Sequence, residues 1–117
     1  MATIKQFEDL EIWKMARELV LMIYNDLKTC REYAFKDQMM RAGISIMNNI
    51  AEGFHRNSDA EFRNFLNISK GSAGEVKSML YLAEDIKLLT SEAATDRRNK
   101  TQKLINSIGS FMTYLKK

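Results

Sequence analysis

The chain has 117 residues, 45% of them hydrophobic and 28% charged, which is the size and composition of one globular domain and excludes a disordered protein. It contains no proline, a residue that disrupts helix interiors, and its one cysteine, Cys30, excludes an intrachain disulfide. The net charge of +3 is unevenly spread, because residues 97–117 carry six lysines and arginines and no acid, a distribution that can indicate an anionic partner.

Apolar residues recur at spacings of three and four in four segments, at about residues 7–28, 35–56, 59–87 and 92–116. The connections between these segments are short, and short connections place successive helices antiparallel. The pattern therefore predicts an all-α, antiparallel up-down four-helix bundle in a single domain that spans residues 1–117.

The first helix has more apolar residues than one core-facing side needs. Its predicted inward stripe consists of Trp13, Ala16, Val20, Ile23 and Leu27. Met15, Leu21 and Met22 lie beyond that stripe. Because a patch of exposed apolar side chains on one helix is a candidate contact surface, these three residues are the predicted oligomer interface.

No segment has the features of a membrane or export sequence. The longest apolar run, Leu19–Tyr24, is far shorter than a membrane span, and acids at positions 8, 9 and 11 argue against a signal peptide. We therefore expect a cytoplasmic protein without a membrane partner.

The second and third helices carry polar residues between their core positions. On the second helix the apolar stripe is Met40, Gly43, Ile44, Met47, Ile50, Ala51 and Phe54. The polar set is Gln38, Arg41, Ser45, Asn49, Glu52, Ser72 and Glu75. We interpret it as a structural layer between helices, in which Arg41 pairs with Glu52 or Glu75; the alternative is a ligand site.

The third helix begins with a capping box, Ser58 with Glu61 three residues later. A heptad seam follows, made of Phe62, Phe65, Ser69, Ser72, Val76, Met79, Ala83 and Ile86. Gly71 and Gly74 lie inside this helix, where each glycine costs about 1 kcal/mol relative to alanine. Their presence predicts a close helix approach near residues 71–74.

The basic residues of the fourth helix are candidate contacts to nucleic-acid phosphates: Arg97, Arg98, Lys100, Lys103 and Lys117. Lys100, Lys103, Ser107, Ser110, Tyr114 and Lys117 also recur on one side of this helix, away from its apolar side. The alternative interpretation is a solvated helix face, with cations near the C-terminus favoured by the helix dipole.

The residues with possible catalytic chemistry do not form a known arrangement. Glu52 and His55 have the spacing found in di-iron bundles, but those sites need a second such motif, and His55 is the only histidine. Cys30 has no sequence relation to His55, and no glycine-rich phosphate loop is present. We therefore expect no enzymatic activity, no metal and no cofactor.

Three blocks resemble a known family: Phe7–Trp13, the segment Gln38–Arg56 that contains Asn-Ile-Ala-Glu-Gly, and Phe65–Ser72 followed by Glu75. Together they are similar to the four-helix-bundle family of 23S rRNA intervening-sequence proteins, from Phe7 to about Leu115. The family often carries proline where this chain has Met47, so the second helix is expected to be less kinked.

The resemblance implies an up-down four-helix subunit, commonly assembled into a ring of five, with no known enzymatic activity. A related branch comprises accessory proteins of diversity-generating retroelements, for which binding to nucleic acid and to a reverse transcriptase is implied. The resulting hypothesis is a non-enzymatic homopentameric module that binds RNA or DNA. The alternative is a scaffolding oligomer that binds a protein partner.

Overall fold

A computed structural model of the chain describes residues 4–116. A short 3-10 helix, Phe7–Asp9, precedes four α-helices: α1 (Glu11–Leu27), α2 (Tyr33–Phe54), α3 (Asp59–Asp85) and α4 (Ser91–Lys116). No strand occurs within residues 4–116. The helices pack in sequence, each against the next, and α4 returns against α1. The predicted all-α four-helix bundle is confirmed.

The helix ends have local causes. The first helix was predicted from residue 7, but Leu10 has an extended backbone (φ −71°, ψ 128°) that separates the 3-10 turn from α1. The predicted capping hydrogen bond forms at the start of α3, where the backbone N–H of Glu61 donates to Ser58 Oγ at 3.2 Å. After α3, Lys87 takes a positive φ of 62° and turns the chain toward α4.

The core consists mainly of Leu, Ile and Ala side chains that all four helices direct inward. In α1 the buried residues are Ile12, Ala16, Leu19, Ile23 and Leu27. The predicted stripe of α1 is thus partly wrong, because Trp13 and Val20 are only half-buried. Trp13 instead packs edge-on against Phe7 of the 3-10 turn, with ring centroids 5.2 Å apart.

The predicted core positions of α2 and α3 are partly right: Gly43 and Ile50 in α2 and Phe62, Ser69, Val76 and Ala83 in α3 are buried, whereas most of the others are replaced by a neighbouring residue. The buried residues are Met39, Ala42, Gly43, Ile46, Ile50 and Gly53 in α2, and Phe62, Leu66, Ser69, Ala73, Val76, Leu80 and Ala83 in α3. Ile44 and Ile86, predicted to face the core, are 42% and 45% exposed. Each helix contacts two neighbours at once, so its buried side is centred between them.

Close helix approach occurs at a different glycine from the predicted pair. A Cβ atom on Gly71 or Gly74 would meet nothing within 4 Å, so the expectation of a close approach there is wrong. A Cβ on Gly53 would lie 2.8 Å from Phe62 Cδ1 and from Phe65 Cβ. Gly53 therefore lets the end of α2 lie directly against the beginning of α3. The second helix runs without interruption through Met47.

None of the helices described for residues 4–116 combines the length and the apolar character needed to cross a membrane.

Candidate nucleic-acid interface

Arg97, one of the predicted phosphate contacts, is held by two carboxylates inside the subunit. Its Nε and Nη2 atoms donate to Asp26 Oδ2 and Oδ1 at 2.8 and 2.9 Å, and its Nη1 donates to Asp96 Oδ2 at 2.7 Å. The Arg97 and Asp26 side chains are only 20% and 14% exposed. The hydrogen bonds to Asp26, followed by that to Asp96, raise the pKa of Arg97. This arginine joins the end of α1 to the beginning of α4.

Arg98 and Lys100 also have acidic partners. Arg98 Nη1 lies 2.8 Å from Glu84 Oε1, and its guanidinium stacks 4.2 Å from the centroid of the Tyr81 ring. The hydrogen bond from Arg98 lowers the pKa of the Glu84 carboxyl. Lys100 Nζ donates to Asp96 Oδ1 at 2.8 Å, and this bond is the largest cause of the lowered pKa of Asp96. Three of the five predicted cations are therefore neutralised within the fold.

The two remaining predicted cations are Lys103 and Lys117. Lys117 lies outside the described residues. Lys103 lines an open groove between α1 and α4, and the other described members of its predicted stripe line the same groove: Lys100, Ser107, Ser110 and Tyr114. The α1 side of this groove carries Glu11 and Glu18. Those carboxylates would repel a phosphate, so this groove is a poor site for nucleic acid.

A second groove, between α3 and α4, has a different charge pattern. It encloses about 370 Å³ and is lined by Arg63, Asn64, Asn67, Lys70, Gly109, Met112, Thr113 and Lys116. Three of these residues are cations, three are uncharged hydrogen-bonding residues, and none is acidic. In this α3–α4 groove, the charged and polar side chains can donate hydrogen bonds to an anion, and no lining carboxylate opposes it.

Three cations follow a seven-residue repeat along α3, and the first two of them line the α3–α4 groove. Arg63, Lys70 and Lys77 are all half-buried on the side of α3 that faces α4. Successive members are two helical turns apart, about 10 Å along the axis. Arg63 Nη1 donates to the Leu115 carbonyl at 3.1 Å, and Lys77 Nζ donates to Gln102 Oε1 at 2.7 Å. The first bond holds Arg63 in the groove, and the second joins Lys77 to α4 beyond the residues that line the groove.

Lys70 and Lys116 are the cations of the groove most available to a ligand. Neither makes an ion pair with the residues described here, and Lys116 is exposed. Arg63 uses one of its five N–H donors in the hydrogen bond to the Leu115 carbonyl, and its other donors can bind an anion. The groove thus presents three positive charges, and the row of cations on α3 continues beyond it to Lys77, about 20 Å from Arg63 along the helix.

The polar residues predicted between α2 and α3 form a hydrogen-bonded layer. Ser45 Oγ and Ser72 Oγ lie 2.8 Å apart, and Asn49 Nδ2 donates to the Ser45 carbonyl at 2.9 Å. Gln38 Nε2 donates to Glu75 Oε2. The Ser45–Ser72 and Gln38–Glu75 bonds join the two helices, as expected for a structural layer, and the Asn49 bond lies within α2.

The predicted pairing of Arg41 with Glu52 or Glu75 is wrong. Glu52 Oε1 instead accepts from Arg56 Nη2 at 2.6 Å, one turn further along the chain, and Glu75 accepts from Gln38. Arg41 is exposed and makes no ion pair with the residues that the structure describes.

The three residues of the predicted oligomer interface do not share one surface. Met15 and Met22 are half-buried and line the groove between α1 and α4, whereas Leu21 is 59% exposed. Leu21 lies about 120° around the helix from Met15. Its apolar neighbour on the outward side is Tyr24, which is 47% exposed.

His55 and Cys30 both lie beside apolar or aromatic side chains. The His55 ring lies edge-on to the rings of Phe7 and Phe54, with centroids 5.8 and 5.5 Å away. The half-buried Cys30 lies beside the core in the connection between α1 and α2. Among the described residues, no three His, Cys, Asp or Glu side chains are grouped so that they could hold a metal ion.

The chain was compared with protein families and with solved structures. The model of the family described as 23S rRNA-intervening sequence protein matches residues 8–110. The chain is also similar to a Bacteroides thetaiotaomicron VPI-5482 protein of unknown function from the S23 ribosomal protein family, whose crystal structure has been determined at 1.70 Å resolution. The two are 27% identical, with a TM-score of 0.80, over 86% of this chain and 97% of that chain. No curated protein gives a significant match.

Proposed function

The chain belongs to the 23S rRNA-intervening sequence protein family, and from this premise we propose that it is a non-enzymatic, homo-oligomeric module that binds the phosphate backbone of RNA or DNA. The observation that carries the proposal is the α3–α4 groove, which has cations from both helices and no acid among its lining residues.

The chemistry of the groove suits a sugar–phosphate chain. Lysine and arginine attract phosphates, while the side-chain amides of Asn64 and Asn67 can bond phosphate or sugar oxygens. Such contacts give affinity without reading the bases, so binding is expected to depend little on sequence. Arg63, Lys70 and Lys116 together can neutralise about three phosphates in each subunit.

So few phosphate contacts give weak binding, and assembly would strengthen it. Copies of the groove in one oligomer act as linked sites, so the overall affinity rises without any new contact. The family resemblance favours a ring of five copies. The exposed Leu21 and Tyr24 on the outward side of α1 support self-association through that side.

Sedimentation tests the self-association. We expect an oligomer, five times the 13.6 kDa subunit mass for a pentamer, at micromolar concentration. Leu21→Glu should shift it toward the monomer, because the carboxylate would be buried in the contact. The matched control is Leu82→Glu, at a leucine of α3 that is 47% exposed. A monomeric wild-type protein, or equal effects of both variants, would contradict this part of the proposal.

A pair of charge-removal variants tests the groove. Lys70→Gln/Lys116→Gln removes the two groove cations that have no acidic partner among the described residues. The control, Lys5→Gln/Lys87→Gln, removes two exposed charges that lie outside α1 and outside the α3–α4 groove, and gives the same net charge. For single-stranded RNA, each phosphate contact contributes roughly 0.7 to the slope of log K against log salt. The groove variant should therefore flatten the slope by roughly 1.4 for each engaged subunit, while the control keeps it.

Two results would reject the nucleic-acid function. One is that the wild-type protein retains neither RNA nor DNA at about 50 mM salt, where phosphate contacts are strong. The other is that the groove variant and the control bind equally well. The scaffolding function would then be preferred, and the groove between α1 and α4 is the observation that favours it.

A further inference from the structure

The groove between α1 and α4 has an apolar floor that extends along both helices. Near one end it is lined by Leu10, Ile12 and Phe111, and near the other by Met15, Leu19 and Met22. The two parts enclose about 670 and 270 Å³ and adjoin at Glu11 and Lys103, which line both. From Glu11 to Met22 the α1 wall of the groove is about 17 Å long, which is three turns of a helix.

The two edges of this α1–α4 groove carry opposite charges. Glu11 and Glu18 lie along the α1 edge, and Lys100 and Lys103 lie along the α4 edge. Glu11, Glu18 and Lys103 make no ion pair with any residue in the described range. Three of the four edge charges are therefore open to a partner, and the fourth, Lys100, is 48% exposed beside Asp96.

The charged edges and the apolar floor of the groove favour one class of partner over two others. A nucleic acid would bring phosphates against Glu11 and Glu18, which is unfavourable. A second copy offers a poorly matched helix, because the exposed Leu21 and Tyr24 of α1 share their side with Lys14, Arg17 and Lys28. If this side of α1 from a second copy lay in the groove, its three cations would face Lys100 and Lys103 on the α4 edge, and like charges would repel. An apolar groove three turns long with charged edges fits the helix-in-groove mode of recognition.

We propose that the α1–α4 groove binds an amphipathic helix of a different protein chain, with an apolar stripe bordered by cations on one side and acids on the other. The cations of that helix face Glu11 and Glu18, and its acids face Lys100 and Lys103. The charges also fix the direction of the bound helix, because reversing it would exchange its two edges. This inference does not depend on the proposed nucleic-acid function.

Synthetic helices provide the test. The probe is a labelled peptide of about 18 residues with leucines spaced as one helical stripe, lysines along one edge and glutamates along the other. Two comparison peptides keep the leucines and carry only lysines or only glutamates on both edges. Fluorescence anisotropy with the full chain at low salt should give roughly tenfold tighter binding of the mixed-edge peptide, since each single-sign peptide places one edge against like charge.

Variants of the protein should change this preference in a specific way. Glu11→Lys/Glu18→Lys makes both edges basic, so the all-glutamate peptide should become the tightest ligand. Met15→Glu should weaken the binding of all three peptides, because it places a charge in the apolar floor of the groove. Leu82→Glu, on α3 and outside the groove, should leave their binding unchanged. Circular dichroism of each variant verifies that the helical fold is kept.

Several outcomes would overturn the proposal. Equal binding of the three peptides, or binding of none, would remove the charge-matched site. An unchanged preference in Glu11→Lys/Glu18→Lys would place the peptide elsewhere. If Met15→Glu dissociates the oligomer while the wild-type protein binds no peptide, the groove is the contact between copies. The Lys70→Gln/Lys116→Gln variant should bind the mixed-edge peptide like wild type, which separates this result from the nucleic-acid function.

Discussion

Replacing Arg97 with leucine is expected to lower the free energy of unfolding by about 2–3 kcal/mol. The guanidinium makes two hydrogen bonds to Asp26, whose side chain is 14% exposed. Removing one partner leaves the other charge poorly solvated, and this penalty exceeds the loss of an exposed pair. Urea unfolding of wild type and Arg97→Leu measures the difference.

A double-mutant cycle isolates the contribution of the Arg97–Asp26 pair. Asp26→Asn, Arg97→Gln and the combined variant should show a coupling energy of at least about 1 kcal/mol. The control is Arg56→Gln, which removes the exposed pair with Glu52 and should cost less than about 0.5 kcal/mol. If Arg97→Leu costs no more than this control, Arg97 is free to bind a ligand, as the sequence pattern predicted.

Replacing Gly53 with alanine is expected to destabilise the protein by about 2 kcal/mol. The added methyl carbon would lie 2.8 Å from Phe65 Cβ, an atom fixed to the α3 backbone, so α2 and α3 would have to separate. Alanine is otherwise the better helix former, and that preference opposes the steric cost without cancelling it.

Gly71 and Gly74 are the matched controls for this substitution. Both lie in the interior of α3, and an added Cβ meets nothing within 4 Å. Gly71→Ala and Gly74→Ala should each stabilise the protein by about 0.5–1 kcal/mol. Thermal unfolding of the three variants gives the comparison. A Gly53→Ala protein as stable as Gly71→Ala would show that the helix contact at residue 53 relaxes easily.

The helical periodicity was sufficient to predict the fold class, because four amphipathic segments joined by short links leave few other arrangements. It was less informative about which residues are buried. Trp13 and Ile44 fit a helical stripe as well as Ile12 and Ile46 do, and only the positions of the neighbouring helices decide between them. Similarly, nothing in the sequence distinguishes Gly53 from Gly71 and Gly74, and only the contacts of Phe62 and Phe65 give it a packing role.

The distribution of charge could be counted from the sequence, but its pairing could not. Arg97 and Asp26 are 71 residues apart, and only the return of α4 against α1 brings them together. The sequence therefore suggested more unpaired cations in the basic C-terminal segment than the structure shows. One available signal was missed: Arg63, Lys70 and Lys77 repeat every seven residues on α3, where the prediction considered only the apolar seam.

The most direct test of the proposed nucleic-acid site is a lysine footprint. The full chain is acetylated with and without a single-stranded RNA oligonucleotide at low salt, and mass spectrometry compares the lysines. We expect protection of Lys70 and Lys116 in the α3–α4 groove, while Lys14 and Lys103 remain as reactive as in the free protein. Protection of Lys100 and Lys103 with Lys70 still reactive would contradict the account and place the RNA on the α1–α4 side.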